Sequence, residues 1–579
     1  MEPATDCFNW NFGIAAVHLP MPTGPLSHPH RRWIVAALAI GAFLALPIAV
    51  VALNVFTPGG DAWTHLASTV LPRYIRTTLV LLAGVLVGVV VVGVACAWLV
   101  AACEFPGRRL LEWALLLPLA MPAYVMAYAY TDFLQFAGPV QTALRTAFGW
   151  SAGDYFFPDV RSLGGAIAMF TCVLYPYVYL LARVAFIEQS PSLAEAGRTL
   201  GLSAWSTFFR VSLPMARPAI AAGASLALME TLADFGTVSY FGVQTFTTGI
   251  FRAWLSMGEP ASAAKLAAIL LAFVFVIVAL ERWARKRARF HELAGTGRRE
   301  RVRLRGTRAV AAAVACVLPL AVGFLLPALL LVKMSLVEGD QEFGARFARL
   351  AMNSVTLAAV TAAAAVALAL FLAYASRITR SPVSAFVNRV AGLGYAIPGA
   401  VIAIGVLIPA ARFDNFLADA AQSMFGWSIG LLVTGGIVAL VYAYLIRFLA
   451  VALQTVEAGL AQITPSMEDA ARSLGLGASE TLARVHAPIL RSSLVTAALL
   501  VFVDVMKELP ATFVMRPFNF DTLAVQAYNL AADERLAEAS TASLAIVCVG
   551  LVPLVLASRR LVRREERARG AIPPRAAQA

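Results

Sequence analysis

Runs of about twenty mostly apolar residues, each the length a helix needs to cross a ~30 Å hydrocarbon core, recur along the chain with short polar breaks. In the first half they begin near Trp33, Thr77, Leu110, Leu163, Pro218 and Lys265. In the second half they begin near Ala309, Asn353, Phe386, Ile429, Leu494 and Thr541. The pattern predicts an all-α membrane protein with about twelve transmembrane helices. Pro118, Pro122, Pro398 and Pro409 interrupt the third and ninth runs, so broken or tilted helices are expected there.

The polar breaks hold a repeat. SLAEAGRTLGLSAWSTFFRVSLPMARPAI, starting at Ser192, aligns without a gap on SMEDAARSLGLGASETLARVHAPILRSSL, starting at Ser466, 274 positions later, with 12 of 29 positions identical. Chance would give roughly 2–3 matches, and a period this long is not a solenoid unit of ~20–50 residues. The chain therefore reads as two fused copies of one domain. Six spans per copy is an even number, so the copies have the same orientation and are related by a pseudo-twofold axis along the membrane normal. The expected division is a flexible cytoplasmic tail (1–32), a first domain (33–281), a basic cytoplasmic linker (282–308), a second domain (309–558) and a basic cytoplasmic tail (559–579).

Composition agrees with a bilayer. The chain is 60% hydrophobic and 14% charged, against ~45–50% and ~25% in soluble proteins. The formal net charge of +13 does not mark a nucleic-acid binder, because the basic residues flank apolar helices and form no patch on a soluble domain. Arg31 and Arg32 before the first span, the Arg282 to Arg308 cluster and the Arg559 to Arg575 tail supply most of the excess of basic residues on one side of the membrane. The positive-inside rule therefore places both termini in the cytoplasm, with Lys507 counted as the basic residue inside a span.

Chemistry for a reaction is missing. Cys7, Cys96, Cys103, Cys172, Cys316 and Cys548 show no paired metal-ligand spacing, and His28 and His30 stand in the N-terminal tail beside Arg31 and Arg32. No metal ligands are assigned. No GxxxxGK[ST] phosphate loop occurs, so any ATP that drives this chain is held by a partner. No catalytic residue is expected.

Each repeated loop has an acid, a small pair, a glycine six positions after the acid and a proline thirteen further on. These are Glu195, Ala196, Gly197, Gly201 and Pro214, then Asp469, Ala470, Ala471, Gly475 and Pro488. The spacing predicts a short helix, a glycine stop at positive φ and a second short helix running to the proline. Such a helix–turn–helix offers small residues to a partner's groove.

This pattern resembles the EAA loop of the membrane subunits of bacterial ABC importers, EAA-x3-G-x9-I-x-LP. The chain has EAGRTLG…VSLP and DAARSLG…VHAP, with mild departures at Gly197, Val211, Asp469, Val485 and Ala487. ETLADFGTVSYFGVQTFTTGIFRAW from Glu230 and MKELPATFVMRPFNFDTLAVQAY from Met506 resemble the ferric-iron branch, whose fused twin permeases have this length. The resemblance implies a multi-pass permease of the bacterial inner membrane. Its two loops would dock two copies of a cytoplasmic ABC ATPase that binds ATP and Mg, and a periplasmic binding protein would deliver the cargo. Thiamine, polyamine and phosphonate permeases share the loop, and an ion-gradient-driven secondary transporter is a rival that leaves the loops unexplained.

The 274 offset also pairs Glu230 with Asp504 and Asp234 with Glu508 in the fifth span of each half. In each half the two acids are a helical turn apart and expected on one face. Charges inside a span cost about 2.5–3.5 kcal/mol each on insertion scales, so they should face water or a partner. Two readings stand: a cation path lined by carboxylates, or acids near the span end that pair with Lys507 or cap a neighbouring helix.

Overall fold

The computed structural model describes residues 28–58, 60–189, 199, 201, 203–286, 301–338 and 344–570. Eleven of its helices are long and apolar enough to span a bilayer, and a twelfth span exists if one bent pair is counted as a single crossing. The helices that position the site are α1 (His28–Leu53), α2 (Leu71–Ala102), α3 (Ala123–Leu134), α4 (Leu163–Glu188), α5 (Leu213–Ala233), α6 (Gly236–Tyr240) and α7 (Pro260–Lys286) in the first half. Those in the second half are α8 (Thr307–Leu320), α9 (Ala345–Thr379), α10 (Gly399–Phe425), α11 (Ile437–Leu460), α12 (Pro465–Ser473), α13 (Ala487–Met506), α14 (Pro510–Met515), α15 (Leu523–Ala532) and α16 (Leu536–Gly570).

The bent pair is the third span. Arg108–Ala120 and Ala123–Phe148 meet at 91°, and Pro122, which cannot donate the N–H a continuing helix needs, stands at the start of α3. In the ninth window the break moves the span. The helix Pro382–Leu393 stops short of Pro398, and the crossing begins at Gly399, later than the Phe386 start expected from hydropathy; Pro409 lies inside α10 without breaking it. The tenth span begins at Ile437 and not near Ile429, because the intervening loop is tied back to α10. Asp414 accepts the backbone N–H groups of Leu432, Val433 and Thr434 and the Thr434 hydroxyl.

The halves repeat their packing. α2 lies along α4 in the first half as α9 lies along α11 in the second, and α5 and α13 pack against α4 and α11. Close approach of α2 depends on Gly84 and Gly88, where an added Cβ would run into the side chains of Ile167 and Thr171. Small residues at four-residue spacing let spanning helices approach by van der Waals packing, since lipid offers no hydrophobic drive for association. On α9 the same role falls to Ala358, Ala362, Ala365 and Ala369, all buried.

The first helix of each half crosses over. α1 packs on α9, α10 and Pro382–Leu393 of the second half: Trp33 stacks on Phe371 at 5.0 Å and Phe43 on Tyr442 at 4.3 Å. α8 and the helical turns that follow it pack on α2, α3 and α4 of the first half, where the Tyr130 hydroxyl donates to the Val322 carbonyl at 2.6 Å. A short parallel pairing of Cys103–Glu104 with Val302–Arg303 ties the end of the expected linker to the first half. Residues 1–27 and 287–300, which hold most of the expected tail and linker, lie outside the described residues. The final helix continues to Gly570, into the basic C-terminal segment.

Candidate functional site: the repeated loops and the cavity between the halves

Glu195, Ala196 and Gly197 of the first loop lie outside the described residues. Gly201 has φ +76° and Gly475 φ +79°, the left-handed conformation expected of a glycine stop. In the second loop α12 carries Asp469, Ala470 and Ala471, and its last turn closes into Gly475. The expected second short helix does not end at the proline. Ala204–Thr207, a π-helical turn Phe208–Ser212 and α5 follow one another without interruption, and so do Ala478–Thr481, Leu482–His486 and α13. Pro214 and Pro488 stand just after the π turns, at the same place in both halves. A proline ring clashes with the carbonyl four residues back, and a π turn moves that carbonyl to an i→i+5 partner. Each loop is thereby joined rigidly to the fifth span of its own half.

Glu468, one position before the acid of the motif, is buried, whereas Asp469 is exposed. Arg377 at the end of α9 reaches Glu468 at 2.5 Å and donates to the carbonyls of Leu460 and Ile463. His486 Nε2 is 3.5 Å from the same carboxylate. This cluster fastens the second loop to α9 and α11. The sequence motif singled out the acid that faces outward and missed the one that anchors.

At their far ends α5 and α13 approach a cavity of about 120 Å³ lined by both halves, which holds all four paired acids. The acids do not share one helical face, because α5 stops at Ala233 and α13 at Met506. Asp234 lies beyond the end of α5 and caps α6, accepting the N–H groups of Thr237 (2.9 Å) and Val238 (3.2 Å). Glu508 caps α14 in the same way, accepting from Ala511 (2.9 Å) and Thr512 (3.0 Å) and from the Thr512 hydroxyl. Glu230 and Asp504 remain on the spanning helices. Lys507 Nζ is 2.8 Å from Asp504. Arg447, in the middle of α11, lies between Glu230 of the first half (3.9 Å) and Glu508 of the second (3.7 Å). Lys507, expected inside a span, follows the end of α13, and Arg447 is the cavity base that stands inside a spanning helix. A hydropathy window starting near Ile429 ends at Arg447 and hides it, whereas the true start at Ile437 centres it.

Beside the cavity, aromatic side chains pack across the interface between the halves. Phe235 stacks on Phe251 at 3.6 Å and meets Phe513 and Tyr528 of the other half, while Ser239 and Tyr528 share a hydrogen bond. Further out, on the face away from the loops, Arg161 bridges to Glu534 at 3.0 Å.

Residues 89–290, which include the first loop with Glu230 and Asp234, match the family described as binding-protein-dependent transport system inner membrane component. That stretch of the chain therefore resembles an ABC-type permease domain. The chain is 26% identical to the Fe(3+)-transport system permease protein FbpB 2 of Haemophilus influenzae over 90% of this chain and 96% of that relative. Shorter relatives match one stretch only. The molybdenum transport system permease protein ModB of Escherichia coli is 28% identical over 33% of this chain and 83% of its own length. The sulfate transport system permease protein CysT of the same species is 29% identical over 33% of this chain and 68% of its own length. The 11 to 12 candidate spans among the described residues fit a multi-pass membrane protein, and the matched family is one of inner-membrane transport components.

Proposed function

We propose that this permease imports ferric iron from the periplasm by alternating access. Two copies of a cytoplasmic ATPase, holding ATP and Mg, would drive it through the loops around Gly201 and Gly475, and a periplasmic binding protein would supply the cargo. The carrying observation is the similarity to the ferric permease over nearly the full length of both proteins. The uninterrupted helix from each loop to its pair of acids supports the mechanism. ATPase closure would move the loops together, and each loop would carry its fifth span as a rigid lever, opening the cavity first to one side and then to the other. Division at 33–281 and 309–558 then describes the two covalent repeats, with α1 and α8 exchanged between the moving bodies.

Arg447 and Lys507, together with the molybdenum and sulfate relatives, favour a second reading in which the cargo is an oxyanion. Uptake by cells carrying the permease with its ATPase and binding protein separates the two. Ferric uptake should saturate, and unlabelled molybdate or sulfate should leave it unchanged. Accumulation of either oxyanion without ferric uptake would replace the iron assignment. Orientation is read independently: a reporter fused after Arg298 or at the C-terminus should be cytoplasmic, and one inserted near Asp154 or Gly258 periplasmic, because the Arg and Lys bias sets topology. Protease access to residues 287–300 from outside intact cells would reverse it.

A further inference from the structure

The four acids of the cavity fall into two kinds. Asp234 and Glu508 are committed to capping α6 and α14. Glu230 and Asp504 cap nothing, and each faces a basic side chain of the second half, Arg447 and Lys507. The acids recur in both halves at the 274 offset, but the bases do not: the same offset places Val173 opposite Arg447 and Ala233 opposite Lys507. Val173 and Ala233 also line the cavity.

Arg447 is held loosely for a buried charge. It is 7% exposed, its Nε and Nη1 have no hydrogen-bond partner among the described residues, and its carboxylate contacts at 3.7 and 3.9 Å exceed the ~2.7–3.2 Å of an N–H···O bond. Coulomb attraction, not a locked hydrogen-bond geometry, keeps it between the halves. Among the described residues no three His, Cys, Asp or Glu side chains converge as a metal site, which follows if two acids are caps and two are matched by bases.

We propose that Arg447, assisted by Lys507, is a tethered counter-ion that occupies the cavity's negative charge between transport events and sets the charge a cargo must carry to enter. A monovalent ion offers Glu230 no more charge than Arg447 already supplies, and Arg447 is covalently present at high effective concentration. A divalent or trivalent hard cation offers two or three times the attraction, since Coulomb energy scales with the charge product, and carboxylate oxygens suit it. Displacing Arg447 also breaks its link from Glu230 in the first half to the second, so cargo entry and separation of the halves become one event. An anion is disfavoured here because the lining carries four carboxylates against two bases.

This inference rests on the cavity being part of the route of a cationic cargo. The test uses terbium(III) as a hard trivalent probe on the full-length permease in nanodiscs, read by luminescence sensitised through Tyr124, Tyr177 and Tyr395, which line the cavity. The binding considered is the part lost in the Glu230→Gln/Asp504→Asn double variant. Arg447→Met should tighten that binding about tenfold and let sodium compete, whereas Arg447→Lys should leave it near the parental value. Lys507→Met should shift it in the same direction as Arg447→Met, which keeps the test readable if Arg447→Met folds poorly. Unchanged or weaker terbium binding in the neutral variants would overturn the counter-ion role. Tightened terbium binding alongside absent ferric uptake by the parental transporter would leave the counter-ion role standing and remove iron as cargo.

Discussion

Cells carrying Gly201→Trp together with Gly475→Trp are expected to contain the permease in the membrane at near-parental level and to lose ATP-driven uptake. Both glycines have φ near +75 to +80°, where a residue with a Cβ costs about 1–2 kcal/mol, and no atom lies within 4 Å of the Cβ either would gain. The backbone strain is small against the stability of the whole bundle, so insertion survives. The ring, however, would project from the turn that the proposed docking brings close to a partner's groove. Co-purification of the ATPase with the double variant is the direct measurement, with loss on the order of a hundredfold or more, equivalent to about 2.7 kcal/mol or more of binding. Retained ATPase and full uptake would reject the docking role. Gly201 and Gly475 each stand three residues before an uninterrupted helix, so either single variant should already reduce uptake by disabling one lever.

Glu508→Leu is expected to behave differently, as a loss of protein and not of coupling. The change removes the acceptor for two N–H groups and one hydroxyl at the start of α14 and leaves Arg447, buried in the same place, with Glu230 alone at 3.9 Å. Removing one partner of a buried ion pair costs about 3–5 kcal/mol, and a lost cap adds ~1 kcal/mol. The steady-state level and the unfolding temperature in detergent should both fall sharply. Adding Arg447→Leu should recover part of the loss, because the uncompensated charge goes with it. Glu230→Gln caps no helix and leaves Arg447 its Glu508 contact at 3.7 Å, so it should lower both quantities far less than Glu508→Leu while impairing uptake. Equal stability of Glu508→Leu and Glu230→Gln would mean that the caps carry no structural weight.

The duplicated loop was legible because its constraints are local. Positive φ at Gly201 and Gly475 follows from residue type and position in a short helix, and both occur. The proline in the motif was misread as a helix end, because a π turn upstream has no signature in composition. The four acids paired from the sequence line one cavity, but the helices do not continue through Asp234 and Glu508 as expected. Their capping role depends on where α5 and α13 stop, and hence on α6 and α14 folding back beneath them.

What the sequence by itself determined is the number of spans, the duplication and the membrane setting, since each depends on run length or identity between stretches, quantities that need no neighbours. Only the tertiary structure decided the exchange of α1 and α8 between halves, the burial of Glu468 and the placement of Arg447 between Glu230 and Glu508. The physical reason is that hydropathy measures transfer out of water and is nearly blind to whether an apolar face meets lipid or another helix. A buried charge likewise takes its meaning from the partners that packing brings within a few ångströms.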